Sequence, residues 1–320
     1  MHWLGITTAF LATIFWACSA FPFTKAGRLM SVPTMNLMRL CLGGLLVFIT
    51  ALIFEFNSIT KIFSAGYANA WLWLGLSGVV SLGLGDYLSY RMYTILSPRY
   101  GAVFTSISPA STLLFGILLL DETINFIGII GMAVTIGGVM SMSFSRSERN
   151  TIPDHGHGSV LTGIVYGTIG ALCHGIGLVF SKMGFVSQSL PGLPIGPVTG
   201  SFIRYCVAAV LVVSILFFTK TLGKQIKLLQ QQSTSALKTT LLAIILGPVL
   251  AVSCAMISIQ YINVAISQTI FALVPVLALF IAHYVYKEKI TRHSMAGIAM
   301  AIIGVALLIW RNDLVRLAFG

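Results

Sequence analysis

Apolar runs broken by short polar stretches recur along the whole chain. About 20 apolar residues make a helix long enough to cross the ~30 Å hydrocarbon layer of a bilayer. The pattern predicts ten such spans, roughly at residues 3–23, 34–54, 68–90, 100–120, 124–144, 159–181, 199–219, 238–259, 265–285 and 293–310. The connections are mostly short and leave no room for a soluble domain. Trp3, Trp71, Trp73, Tyr286 and Trp310 stand near span ends, as interfacial anchors do.

The polar stretches carry a second pattern. Basic residues cluster after spans 1 (Lys25, Arg28), 3 (Arg91, Arg99) and 5 (Arg146, Arg149), then after spans 7 (Lys220, Lys224, Lys227, Lys238) and 9 (Lys287, Lys289, Arg292). The remaining loops and the tail hold only Lys61, Lys182, Arg311 and Arg316. Each loop rich in Lys and Arg in the first five-span unit is poor in the second, and the reverse. Cytoplasmic loops retain positive charge, so this bias puts both termini outside. Five is odd, so a second copy of a five-helix unit enters the membrane upside down. Such inverted repeats characterise transporters that alternate access around a shared central site.

The copies align residue by residue. An offset of 166 pairs Pro109 with Pro275, Glu122 with Glu288, Ile124 with Ile290, Gly131 with Gly297 and Gly138 with Gly304. An offset of 165 pairs Arg39 and Cys41 with Arg204 and Cys206. An offset of 157 pairs Phe23, Lys25 and Gly27 with Phe180, Lys182 and Gly184. The jump in offset locates an insertion of about eight residues at Pro191–Pro197, before span 7. The boundary between copies falls in the polar stretch Ser145–His157. The fold class expected is all-α: a polytopic membrane protein of ten helices in two inverted repeats, residues 1–150 and 151–320.

Ser108-Pro109, then Leu119-Leu120-Asp121-Glu122-Thr123, Gly131 and Gly137-Gly138, resembles the signature of the EamA family of the drug/metabolite transporter superfamily. The second copy repeats it more loosely as Val274-Pro275, Tyr286-Lys287-Glu288-Lys289, Gly297 and Gly304. Trp16, Ser19 and Lys25 are similar to the family's first helix. The resemblance covers essentially the whole chain and implies ten helices around a central cavity, without fixing a substrate. Asp121 and Lys287 depart from the Gly that commonly precedes the Glu. Both sites are at loops, where little functional consequence is expected.

Composition agrees: 57% of the 320 residues are hydrophobic and 8% charged, with mean hydropathy +0.95. The net charge of +11 is spread among loops as membrane topology, not gathered as a nucleic-acid patch. The basic, Gln-rich stretch 220–238 reads as a solvated connector or a contact for anionic headgroups. Cys18, Cys41, Cys173, Cys206 and Cys254 all fall inside spans, without a Cys-x-x-Cys, and read as small apolar residues. His155 and His157 flank Gly156, but two histidines make a poor metal site. No cofactor is implied. The first span lacks the preceding basic residues of a signal peptide, so it is expected to stay in place.

Asp86 is the only carboxylate well inside a span. An intramembrane charge costs about 2.5–3.5 kcal/mol on insertion scales and is a functional candidate by default. It follows Gly83-Leu84-Gly85. The functional reading is a proton-coupling acid; the plain one is an acid near a span end, solvated or paired with Arg91 or Arg99. Arg39 and Arg204, matched in the two copies, suit a bidentate grip on a carboxylate or phosphate, or snorkelling to headgroups. Lys25 and Lys182 read as interface anchors or substrate contacts. His174 and His283 read as proton relays or packing residues. Pro109 and Pro275 are expected to kink their helices. Thr105, Ser106, Ser108, Ser111 and Thr112 around Pro109, with Ser267, Gln268 and Thr269 in the matching span, are the candidate cavity lining; alternatively they mediate packing. Gly163, Gly167 and Gly170, with Gly137, Gly138 and Gly304, read as close helix contacts. If the last spans of each repeat lie peripherally, they also suit a homodimer.

Three functions remain in play. The leading one is a secondary transporter in a bacterial inner membrane, exporting a small zwitterionic or anionic metabolite. The resembling small multidrug exporters bind cations through a first-helix carboxylate, which span 1 lacks. No Gly-x-x-x-x-Gly-Lys-Ser/Thr loop occurs, so direct ATP drive is unsupported. A flippase for a lipid or lipid carrier on the same fold is the alternative; it needs a laterally open groove. A membrane enzyme is disfavoured by the lack of Gly-x-Ser-x-Gly, His-Glu-x-x-His or paired intramembrane Asp. The partners expected are a small-molecule substrate and the bilayer, and no nucleic acid.

Overall fold

The structure, a computed structural model, describes residues 1–96, 104, 107–143, 159–187, 194–287 and 291–319. Thr105, Ser106, Arg99, Arg146, Arg149, His155, His157, Glu288 and Lys289 lie outside the described residues, as do residues 191–193 of the insertion. The described residues form helices and turns with no strand. Eight helices are long and apolar enough to cross a membrane, and two shorter apolar ones, Ser108–Leu120 and Phe126–Ser141, fall at the expected fourth and fifth spans.

Repeat one opens with α1 (His2–Leu29) and α2 (Val32–Phe54). Ser31 starts α2: its Oγ accepts from the Thr34 amide, and a proline occupies the first turn, where its missing N–H costs nothing. The third span is α3 (Ala68–Ser77), a π-helical segment (Gly78–Gly85) and α4 (Asp86–Ile95). Then come α5 (Ser108–Leu120) and α6 (Phe126–Ser143). Repeat two runs α7 (Val160–Val186), α8 (Pro197–Phe218), α9 (Thr234–Ile244), a second π segment (Ile245–Ala251), α10 (Val252–Tyr261), α11 (Val264–Phe271), α12 (Val274–Tyr286) and α13 (Arg292–Ile309). The short helix Leu222–Gln230 lies in the basic connector.

The internal repeat is written into the element bounds. The bounds of α5 and α12, and those of α6 and α13, are each displaced by 166 residues. Spans 3 and 8 both contain a π segment. Pro109 and Pro275 each sit second in a helical segment, α5 and α12. They open segments instead of bending a continuous helix, and the ninth span breaks at Ala272–Leu273 between α11 and α12. Asp121 and Lys287, the departures from the family's glycine, both adopt positive φ, 51° and 56°. That conformation costs an L-residue energy that glycine does not pay, which is why the family favours glycine there.

Equivalent helices of the two repeats pair with each other: α2 with α8 and α6 with α13. Glycines make the second pair close. A Cβ on Gly131 would lie 2.7 Å from the Gly304 carbonyl oxygen, and one on Gly138 2.5 Å from the Ala301 amide nitrogen. These glycine faces are therefore covered within the chain. Gly163 and Gly167 of α7 likewise receive Leu96 and Phe104.

Candidate functional site

The π segment ends where α4 begins, so Asp86 is delivered at the first position of α4. A π turn adds a residue and rephases the helix beyond it, and such turns are frequent at functional sites. Opposite it lies α2. Arg39 Nη1 stands 2.6 Å from Asp86 Oδ2. Arg39 Nη2 donates to Asn36 Oδ1 at 2.9 Å and to the Leu82 carbonyl at 3.0 Å. Its guanidinium also lies over the Tyr90 ring, 5.8 Å from the centroid, within cation–π range. From α7, His174 Nε2 lies 3.6 Å from Asp86 Oδ1 and 3.3 Å from Ser89 Oγ. Asp86 thus stands between an arginine of α2 and a histidine of α7.

The matched Arg204 comes from α8. Its Nη2 donates to Ser81 Oγ at 2.9 Å and its Nη1 approaches Met256 Sδ at 3.2 Å. Both arginines are only 5% exposed. They point into the protein, not out to headgroups, so snorkelling does not describe them. Arg204 bonds Ser81, and Arg39 bonds the adjacent Leu82 carbonyl and Asp86, so both arginines meet the same stretch of the third span, with His174 beside Asp86, as one buried cluster. Arg204 is brought to the π segment by Gly78, where an added Cβ would collide with the Arg204 carbonyl. Ser81, in turn, donates to the Ser77 carbonyl. The Nε atoms of Arg39 and Arg204 and the Tyr205 hydroxyl are buried without a hydrogen-bond partner among the described residues.

The hydroxyl-rich helices behave differently. Ser108 donates to the Ala171 carbonyl and Ser111 to the Leu172 carbonyl, both on α7. Thr112 and Thr269 donate within their own helices, to Ser108 and Ala265. Gln268 is partly buried on α11. Ser108, Thr269 and Gln268 are not drawn into the charged cluster, and the serines and threonines are occupied in helix contacts. His283 makes an edge contact with Tyr284, far along the chain from the cluster.

A second ionic group ties the repeats together at one end. Lys182 Nζ lies 2.6 Å from Glu122 Oε1 and donates to the Ile262 carbonyl at 2.8 Å. Glu122 Oε2 accepts from the Val264 amide at the start of α11, at 3.0 Å. A carboxylate is favourable at a helix N-terminus. Beside it, Glu55 accepts from the amides of Val198 and Thr199 and the Thr199 hydroxyl at the start of α8. All of these residues belong to the loops and ends that follow spans 2, 4, 6 and 8. The equivalent of Lys182 at the other end, Lys25, is exposed.

Sequence reasoning found Arg39, Arg204, Asp86 and His174, and the structure gathers all four. It missed Asn36, Ser81, Tyr90, Tyr205 and Met256. Asn36 was legible as the i−3 neighbour of Arg39 on a helix. The others depend on tertiary contacts that carry no local signal. Lys182 was taken for an anchor or substrate contact, whereas its amine is engaged by Glu122.

A model of the EamA-like transporter family matches residues 3–144 and again 161–310. Multidrug resistance protein EbrB of Bacillus atrophaeus is 33% identical over 108 residues, 32% of this chain and 89% of that protein. EbrB of Bacillus subtilis (strain 168) is 33% identical over 109 residues, 33% of this chain and 90% of its own length. Protein LicB of Haemophilus influenzae is 36% identical over 64 residues, 20% of this chain and 22% of LicB. EbrB is thus about as long as one of the two repeats. A solved crystal structure of a protein superposes with a TM-score of 0.73 over 100% of both chains at 15% identity, a likeness of fold.

Proposed function

The chain belongs to the EamA-like transporter family, and from that premise we propose that it is a secondary-active exporter of a small zwitterionic or anionic metabolite. It is an integral, multi-pass membrane protein. We place it in a bacterial inner membrane, in keeping with its bacterial relatives. The observation that carries the substrate reading is the buried cluster in which Arg39 pairs with the intramembrane acid Asp86 while Arg204, its equivalent in the second repeat, reaches the same π segment through Ser81. Two guanidiniums for one carboxylate suit a substrate that brings a negative group. The relatives named as multidrug resistance proteins do not fix the cargo, since each matches only a third of this chain.

Alternating access is the mechanism in this reading. The Lys182–Glu122 pair closes the end at the even-numbered loops, while its counterpart Lys25 is exposed at the other end. Two mirrored repeats exchange which end is closed. Asp86 and His174 carry the proton: a proton on Asp86 competes with the ammonium group of a zwitterionic cargo, so proton entry releases cargo and drives export. The test is flux in proteoliposomes under an imposed pH gradient, comparing wild type with Asp86→Asn. Gradient-driven flux lost in the variant supports the reading; unchanged proton dependence removes Asp86 from coupling.

One observation favours a second reading. An apolar groove of about 390 Å³ lies between α2 and α8, lined by Leu40, Gly44, Phe48, Phe202 and Tyr205 among others. It suits an acyl chain whose headgroup reaches the cluster, as a flippase requires. Changed lipid asymmetry on expression, with no efflux of water-soluble compounds, selects that reading.

A further inference from the structure

Of the five acidic residues among those described, only Asp86 lies inside a candidate span. Its carboxylate is 2.6 Å from Arg39 and 3.6 Å from His174. Among the described residues Arg204 therefore has no carboxylate of its own. Its two recorded partners are a serine hydroxyl and a thioether sulfur. Neither carries charge, and a thioether is a weak acceptor. Its third nitrogen, Nε, has no partner among the described residues although it is buried. The cluster's charge is two guanidiniums against one carboxylate, one positive charge in excess with His174 neutral. A buried ion lacking a counter-ion is costly. Arg39 Nε is a second buried donor without a partner, the Tyr205 hydroxyl can donate or accept, and Asp86 Oδ2 has its charge met by Arg39. The interior is thus short of a single negative charge, and Arg204 Nε is short of an acceptor.

We infer that Arg204 is the seat of one carboxylate group, and that the transported compound carries a single such group. This rests on the transporter reading above and narrows its cargo to monocarboxylates, amino acids included. One carboxylate neutralises the excess charge. A dianion such as succinate or phosphate reverses it, and a cation adds to it. In an amino acid, the ammonium group then competes with Arg39 for Asp86. Arg39 and Arg204, though equivalent in the repeat, thus have different duties: Arg39 holds Asp86, and Arg204 receives cargo.

The experiment uses thermal unfolding of the full-length purified protein, with the standard amino acids, L-lactate, succinate, phosphate and choline as probes. Wild type is expected to melt higher with at least one compound bearing a single carboxylate, and not with succinate, phosphate or choline. Arg204→Met removes the unneutralised charge at nearly constant volume, so without any probe it is expected to melt about 2–4 °C above wild type. It loses the carboxylate response, and Arg204→Lys, which keeps the charge, retains part of it. Arg39→Met strands Asp86 and melts below wild type. The inference is overturned if no single-carboxylate compound stabilises wild type. It is also overturned if succinate, phosphate or choline does so and Arg204→Met preserves that response. A lower melting point for Arg204→Met with an intact carboxylate response makes Arg204 structural and overturns it as well. Flux in proteoliposomes separates the two levels. Absence of flux for every compound defeats the transporter reading, while flux of choline that survives Arg204→Met defeats this inference alone.

Discussion

Glu122→Gln tests whether the ionic tie between the repeats is a latch. The substitution keeps the shape of the side chain and an oxygen for the Val264 amide, but removes the charge that faces Lys182. The side chains of Lys182 and Glu122 are 17% and 12% exposed and their atoms 2.6 Å apart, so solvent screens the pair little. A hydrogen bond to a charged group contributes about 1.5–3 kcal/mol net. Loss of about 2 kcal/mol from the closed state alone changes its ratio to the open state about 30-fold. Ser267 reports the change. It is fully buried on α11 behind the latch, with its hydroxyl 2.8 Å from Ser258. In a background lacking the five native cysteines, Ser267→Cys is labelled with an impermeant thiol reagent in sealed vesicles exposing the even-numbered loops. Glu122→Gln is expected to speed labelling by about 30-fold. An unchanged rate with a lower melting temperature makes the pair a static brace. An unchanged rate with unchanged melting refutes any role for it.

Asp86→Asn leaves Arg39 without its acid, and breaking a buried ion pair costs about 3–5 kcal/mol. The variant is expected to insert normally, melt lower and lose pH-gradient-driven transport, as read by membrane yield, unfolding and proteoliposome flux. Gly78→Ala sets a methyl against the Arg204 carbonyl and forces the π segment away from α8. A loss of about 1–3 kcal/mol together with impaired transport is expected, and transport at wild-type level would show that the Gly78 contact does not position Arg204. Asp121→Gly relieves the left-handed backbone at φ 51°, worth about 1–2 kcal/mol, against about 0.4–1 kcal/mol for glycine's added freedom in the unfolded chain; a small net gain without altered flux is expected, and denaturation in matched detergent measures it.

The repeat was the most legible feature because it is a one-dimensional signal. Matched prolines, glycines and arginines fix the offsets, and the element bounds of α5 and α12 obey the same 166-residue shift. Span positions followed from hydropathy, but the segmentation at Ala272–Leu273 did not, because an apolar run reads alike whether its helix is broken or whole. Asp86 was visible as an intramembrane charge, read as a proton-coupling acid or as one solvated or paired with Arg91 or Arg99; its pairing with Arg39 was not foreseen. The π segment before it rephases the helix, and no pattern in Gly83-Leu84-Gly85 states the new direction. The hydroxyls of Ser108 and Ser111 were read as cavity lining or as packing groups. They donate to α7 carbonyls, where Gly175 leaves the space: a Cβ there would lie 2.5 Å from Ser111 Oγ. Such a meeting requires both helices to be placed first. Ion pairs across repeats, such as Lys182 with Glu122, are hidden for the same reason.

The central claim is that the chain exports a metabolite bearing a carboxylate and that Arg204 and Asp86 handle it. Untargeted profiling of culture medium tests it most directly, using cells that express wild type, Arg204→Met, Asp86→Asn or an empty vector. The account predicts a compound with a single carboxylate that accumulates with wild type alone. A cation accumulating equally with wild type and both variants, or medium identical in all four cultures, contradicts it.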